Sequence, residues 1–400
     1  MTSWLPAIAW AQEPTVGAAD ADAYRSHRHT LYIDGNITGG TGNAILSYDI
    51  GPDGSLRALP GSPFLTGGNG FYDASFKLGP FDVDQEMALN DERNILYAVN
   101  AGSNTISALQ IGKDGGLYPL PGQPFESHGS TPVSLGLRDE NLVSVDSAQD
   151  PAQAGHGYLP GLTVSRIRPS GRLHYLTDSA VALRADAQPS QALTTNTAPF
   201  VFTAEFPGGG SLRAFYQSPD GHLYQTDKVA LPLEGRVQPL PLGLWAHPSQ
   251  PYLYVGFVNT NQLGVYRWTA QGKLEFVRAA ANSGQALCWI RVSRDGRRLY
   301  TANTGDASMS VYDLSQPDRP VEIQHLAVGG LGGVEQFSLT PDGHLLYLLQ
   351  QENSVASAGK SNRVRVLRVD AGTGLLTLLD KLTVSLPLPA KTRPFGIAIR

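Results

Sequence analysis

The chain of 400 residues contains a single cysteine, Cys288, and three methionines. One thiol excludes an internal disulfide framework and any cysteine-built zinc cluster. Cys288 sits in the apolar run Ala286-Leu287-Cys288-Trp289-Ile290. It therefore reads as a small buried hydrophobe, because a nucleophilic cysteine needs an electropositive, accessible setting. Charge is scarce as well: 16% of the residues are Asp, Glu, Lys or Arg, and the net charge is −5. With no run of Lys and Arg to neutralise a row of phosphates, nucleic acid is excluded as a partner. No apolar run reaches the ~18 residues of a membrane-spanning helix. Also missing are a Gly-x-Ser-x-Gly elbow, a His-Glu-x-x-His pair, a phosphate-cradling loop and a dinucleotide fingerprint followed by a helix.

Turn chemistry is abundant instead. The 44 glycines and 28 prolines are spread along the whole chain, which implies many turns rather than one low-complexity segment. A unit recurs after Arg28: an apolar strand, a turn with Asp or Ser beside Gly, and a short strand with Leu-Tyr. A loop, another strand, a second tight turn and a last strand complete it. The clearest copies end in Tyr254, Tyr300 and Tyr347, spaced 46 and 47 residues apart. That is the period of a four-stranded propeller blade.

Naming the strands of a blade A to D from the axis outward, seven B strands are read at 31–34, 95–99, 142–145, 200–204, 252–257, 299–302 and 345–349. Turns between C and D strands carry Asp53-Gly54, Asp114-Gly115, Ser170-Gly171, Asp220-Gly221, Gln271-Gly272 and Thr373-Gly374. Glycine supplies the positive φ of such hairpins. Pro317 and Pro320 replace this chemistry in the sixth copy, and Gly329-Gly330-Leu331-Gly332-Gly333 reads as a D-to-A turn. The first copy starts at its B strand and has no A strand of its own. Residues 394–399, Pro-Phe-Gly-Ile-Ala-Ile, look like an A strand with nothing after it. The expected fold is therefore all-β: a seven-bladed β-propeller of four-stranded blades over 28–400, closed by the C-terminal strand completing the first blade. A β-sandwich with similar strand spacing does not explain seven in-phase repeats.

Residues 1–27 read as a leader outside the fold. Ala9-Trp10-Ala11 before Gln12 resembles the small-x-small end of a secretory signal, although the basic n-region is missing. One explanation is a true start upstream of Met1. A periplasmic or secreted location is expected, with the cytoplasm as the alternative.

The B–C loops and D-to-A connections share one face of such a ring and include the irregular segments 35–43, 67–79, 147–161 and 350–362. The A–B and C–D turns of the other face are short and stereotyped, as in a scaffold. The site is expected on the loop face, at the mouth of the central channel. In Phe81-Asp82-Val83-Asp84-Gln85-Glu86-Met87, the residues Asp82, Asp84 and Glu86 alternate and so share one face of an inner strand. They are candidates for a divalent cation site, Ca²⁺ or Mg²⁺, or for a general base of raised pKa. The bland reading leaves them solvated in a wet channel, and no cofactor is required. His128 and His156, isolated in loops, are further base candidates, while His247 and His344 belong to scaffold turns.

The repeat resembles the lactonase-like seven-bladed propellers, the family of the propeller-type 6-phosphogluconolactonases. The likeness rests on residues 288–303, Cys-Trp-Ile-Arg-Val-Ser-Arg-Asp-Gly-Arg-Arg-Leu-Tyr-Thr-Ala-Asn, and on Leu96-Tyr97-Ala98-Val99-Asn100. Residues 340–347 and Arg393-Pro394-Phe395-Gly396-Ile397 add to it. It spans nearly all of 28–400 and specifies the fold better than the reaction. The resemblance implies hydrolysis of a lactone, a carboxylic ester, with a carboxylate or histidine as base and Arg291 and Arg393 on the oxyanion side. Three features depart from the family pattern. Asn303-Thr304-Gly305 stands where Asn-Arg-Gly is expected, Val334-Glu335-Gln336-Phe337 where Pro-Arg-Asp-Phe is expected, and 131–145 lacks a paired histidine. These departures remove groups that hold a sugar phosphate, and align the chain with the exported bacterial branch of the family. Two functions follow: a monomeric hydrolase acting on a small-molecule lactone or sugar-derived ligand, or a non-catalytic exported propeller that binds a ligand or an unknown protein partner through its loop face.

Overall fold

In the computed structural model, which describes residues 29–72, 83–153, 155–206, 210–351, 362–389 and 392–400, the strands form seven antiparallel sheets, each running A-B-C-D from the axis outward. The inner strands are Ile397–Ile399 in blade 1, Met87–Asn90 in blade 2, Pro132–Arg138 in blade 3 and Leu193–Thr194 in blade 4. Blades 5 to 7 contribute Pro241–Ala246, Leu287–Val292 and Gly333–Leu339. Neighbouring inner strands pack together all round, from blade 7 to the C-terminal strand and on to blade 2. The protein is a seven-bladed β-propeller. All seven B strands lie where the repeat placed them, within two residues at each end. Residues 1–27, expected as a leader, lie outside the described residues.

The ring closes as expected. Ile397–Ile399 pairs antiparallel with His29–Asp34, matching Leu31 to Ile399 and Ile33 to Ile397. Side chains of blades 7 and 1 then interleave across the junction, where Tyr347, Leu349 and Val366 share a core with Leu31, Ile33 and Ile397. Burying alternate strand residues between blades in this way stabilises each sheet through its neighbours.

The recurring tyrosine has a definite task. Tyr32 Oη donates to Gly115 O at 3.0 Å, Tyr97 to Gly171 O at 2.8 Å and Tyr300 to Gly374 O at 3.1 Å. Tyr347 donates to Gly54 O at 2.9 Å, which ties blade 7 to blade 1. Each acceptor belongs to the C–D turn of the next blade, and those four glycines have φ between 75° and 89°. Leu-Tyr and Asp-Gly thus recur together because each pair is one joint between blades. Blade 6 keeps the joint without glycine: Tyr254 Oη donates to Pro317 O at 2.8 Å.

Candidate active site in the central channel

Residues 83–86 leave the strand pattern and cross the channel. The Val83 carbonyl accepts from Trp289 Nε1 of blade 6 at 3.1 Å and from Gln336 Nε2 of blade 7 at 2.7 Å. Asp84 N donates to Ser190 O at 3.1 Å, and Asp84 O accepts from Ser134 Oγ at 2.5 Å. Gln85 has φ 64°, the left-handed region that is uncommon for a residue with a side chain. The inner strand of blade 2 starts only at Met87.

This crossing corrects the expectation that Asp82, Asp84 and Glu86 line one strand face. Asp82 lies outside the described residues. Strand alternation requires extended backbone, and the turn at Gln85 sends the other two carboxylates to different places. Asp84, 1% exposed, meets Arg291 in a two-pronged ion pair at 2.6 and 2.7 Å. The guanidinium also stacks 4.3 Å from the Trp245 ring. Glu86, equally buried, accepts from Gln336 Nε2 at 2.6 Å through Oε1, while its Oε2 has no hydrogen-bond partner. Burial, then the negative charge of Asp84, push the Glu86 carboxyl well above its usual range. Among the described residues no three potential ligands gather as a metal centre would require. Both Asp84 oxygens are held by Arg291, which leaves one open carboxylate oxygen at Glu86.

A second carboxyl flanks it. Asp34 closes the B strand of blade 1 and accepts from Asn36 N at 2.8 Å and Asn43 Nδ2 at 2.9 Å. Burial raises its pKa to about 7. Gly396 keeps the two acids close: a Cβ there, at φ 91°, would lie 3.2 Å from the Glu86 Cβ and 3.4 Å from the Asp34 Cβ. Asp34, Asn36, Glu86 and Phe395 border a cavity of about 10 Å³, room for roughly one water with polar partners. On the same side Arg393 donates to Gln351 Oε1 at 2.7 Å and to Glu335 Oε2 at 3.3 Å, and stacks 4.5 Å from Phe395. Sequence reasoning missed Asp34, Glu335, Gln336 and Gln351. Their signal was the polar residues at the ends of apolar strands, as in Val334-Glu335-Gln336-Phe337.

The remaining candidates stand apart from this cluster. His128 stacks on Tyr175 of an outer strand at 4.0 Å, where burial lowers its pKa. His156 is exposed in the loop after Asp146, beside Tyr158. Arg291 serves the other end of the channel, where it borders a cavity of about 1040 Å³ with Gln85, Trp245 and the leucines Leu89, Leu137 and Leu193. That cavity opens among the A–B and C–D turns, at Asp295, Asp342 and Gly374. Among the described residues the turn face, expected to be scaffold alone, therefore holds a large opening of the channel, which residues 83–86 floor. Two structural readings hold: Cys288 is 3% exposed, and His247 Nδ1 accepts from the backbone of its own turn while Nε2 meets Gly296 O at 3.1 Å.

The sequence model of a family described as "Lactonase, 7-bladed beta-propeller" matches residues 247–391. Over those residues the chain is similar to the lactonase-type propellers. Among solved structures it is similar to a periplasmic gluconolactonase from Pseudomonas aeruginosa, with 15% identity, TM-score 0.68, 93% of this chain and 99% of that one covered. A provisionally assigned 6-phosphogluconolactonase from Bacteroides uniformis aligns with 14% identity, TM-score 0.69 and the same coverage. A second such protein, from Bacteroides fragilis, aligns with 16% identity, TM-score 0.66 and 96% and 100% coverage. At these identities the likeness is one of fold. No curated relative matches the chain.

Proposed function

We propose that this lactonase-like propeller hydrolyses a lactone at the Glu86 cluster. The observation that carries the reading is the buried Glu86 carboxyl, fixed through one oxygen by Gln336 while the other borders a water-sized cavity. In its ionised form Glu86 takes a proton from a water held against Asp34. The water oxygen bonds to the lactone carbonyl carbon, and the carbonyl electron pair moves onto oxygen. Arg393, on the same side of the channel, is the charged donor for that oxyanion. When the intermediate collapses, the ring C–O bond breaks and Glu86 returns the proton to the leaving oxygen, giving a hydroxy acid. A base acts only once it has lost its proton, so kcat/KM rises with pH through the raised pKa of the buried Glu86 carboxyl. The periplasmic neighbour and the signal-like Ala9-Trp10-Ala11 support an exported protein; no helix among the described residues is long and apolar enough to cross a membrane.

The test is a pH-stat screen of simple lactones with wild type and Glu86→Gln. The substitution keeps the shape and the Gln336 contact, so circular dichroism should be unchanged. Turnover should fall roughly 10²- to 10⁴-fold, the range of a lost general base. No turnover of any lactone by wild type removes the hydrolase reading and leaves the ligand-binding propeller; equal rates for both proteins remove Glu86 from the chemistry.

A further inference from the structure

The channel has a second cavity that the Glu86 chemistry does not use. The left-handed turn at Gln85 divides the two. Glu86 borders the water-sized cavity, while Gln85 and Arg291 border the cavity of about 1040 Å³ on the turn face. That volume suits a whole small molecule. Its wall is apolar where the inner strands end. Leu89, Leu137, Trp245 and Leu339, from blades 2, 3, 5 and 7, are all half-buried and border it with Val292 of blade 6. Half-buried apolar side chains around a concavity favour an apolar occupant.

Charge at the mouth is mixed. Arg294, Arg297 and Arg298 of blade 6 border it together with Asp295, Asp342 and Asp370. Each of these aspartates accepts from the backbone of its own turn. The floor is more selective. Gln85 Oε1 accepts from Gln191 Nε2 at 2.6 Å, which leaves its own Nε2 to donate. Arg291 gives Nη1 and Nη2 to Asp84, and Nη1 also to the Ile290 carbonyl at 2.8 Å. Among the described residues its Nε–H has no acceptor, and the guanidinium is held 4.3 Å from the Trp245 ring. One edge of this planar fork holds the internal carboxylate, and the Nε edge is left for a second one.

We propose that the turn-face cavity binds an amphipathic carboxylate, its apolar body against the leucines and its head on Arg291 and Gln85. The site is separate from the Glu86 cluster and does not depend on that cluster being a hydrolase.

Calorimetry of the full chain with dodecanoate, below its micelle concentration, tests this. Wild type should bind one molecule per chain. It should bind dodecanoate at least about tenfold tighter than dodecyltrimethylammonium, which has the same tail and a cationic head; that factor is roughly 1.4 kcal/mol. Leu137→Glu sets a carboxylate in the apolar wall and should weaken dodecanoate by a similar factor, with circular dichroism unchanged. Arg291→Lys keeps the charge beside Asp84 but loses the fork, and should weaken it as well. If the lysine variant does not fold, Leu137→Glu decides alone. No saturable binding by wild type overturns the inference. So does equal affinity for the two heads, or wild-type affinity in either folded variant.

Discussion

The ionisation of the buried Glu86 carboxyl depends on a neutral neighbour. Gln336 is fully buried, and its amide makes three contacts: Nε2 to Glu86 Oε1, Nε2 to Val83 O, and Oε1 from Gly396 N at 2.9 Å. A donor to a carboxylate stabilises its ionised form, so Gln336 opposes the burial that raises the Glu86 pKa. Gln336→Met keeps the volume and removes the donor. The acid limb of the kcat/KM profile should move to higher pH, and kcat should fall more than KM changes. A loss of activity with the limb unmoved would mean that Gln336 only packs. At this scale the sequence showed the carboxylates but not their partners. Asp84 and Arg291 are 207 residues apart, and an isolated sequence offers no reason to pair them. Nor does the alternation of Asp82, Asp84 and Glu86 reveal that Gln85 turns left-handed between the last two.

Strands were far more legible than side-chain destinations. Leu-Tyr and Asp-Gly repeats located seven B strands, and the orphan strand at the C-terminus located the seam. Both signals are local, a two-residue alternation and a glycine turn, and the propeller repeats them in phase. The outer strands were less legible. In blades 1, 2, 3 and 7 the outer strand is three residues long and a separate two-residue strand pairs further along the C strand. Blades 4, 5 and 6 have continuous outer strands of eight, eight and seven residues. The seam makes a joint prediction. Deleting residues 394–400 exposes the inner edge of blade 1, so the truncated protein should unfold or aggregate on expression. Tyr347→Phe removes a single buried hydrogen bond across the same junction and leaves the Gly54 carbonyl without that donor. A loss of about 1–3 kcal/mol is expected, read as a lower denaturant midpoint with unchanged m-value. A truncated protein with the wild-type melting temperature would show that the ring does not depend on this strand.

Across the whole molecule, buried carboxyls and exposed turn acids pull stability in opposite directions with pH. Asp146 ends the B strand of blade 3, where Asn100 and Asn303 end those of blades 2 and 6. Its Oδ2 faces Ser144 and Thr163 at 3.3 and 3.5 Å, and its Oδ1 has no hydrogen-bond partner. Burial raises its pKa from 3.8 to about 7, as for Asp34. The native state therefore holds protons that the unfolded chain releases above pH 3.8, and stability falls as pH rises from about 4 to 7. For each group that displacement corresponds to roughly 4 kcal/mol at most. Asp53, Asp220 and Asp370 act the other way: hydrogen bonds from Ser55, Ser218 and Thr373 hold them below their usual range. Their contribution is present above the unfolded value and lost as pH falls below it. Stability should consequently peak near pH 5 and be lower at pH 8. Asp146→Asn supplies the amide already used at this position in blades 2 and 6, with no charge to bury. The melting temperature should rise at pH 8, where Asp146 is ionised, and change little at pH 5. An equal drop at both values would show that the Asp146 carboxylate is satisfied in the native ring, and that pH acts on stability elsewhere.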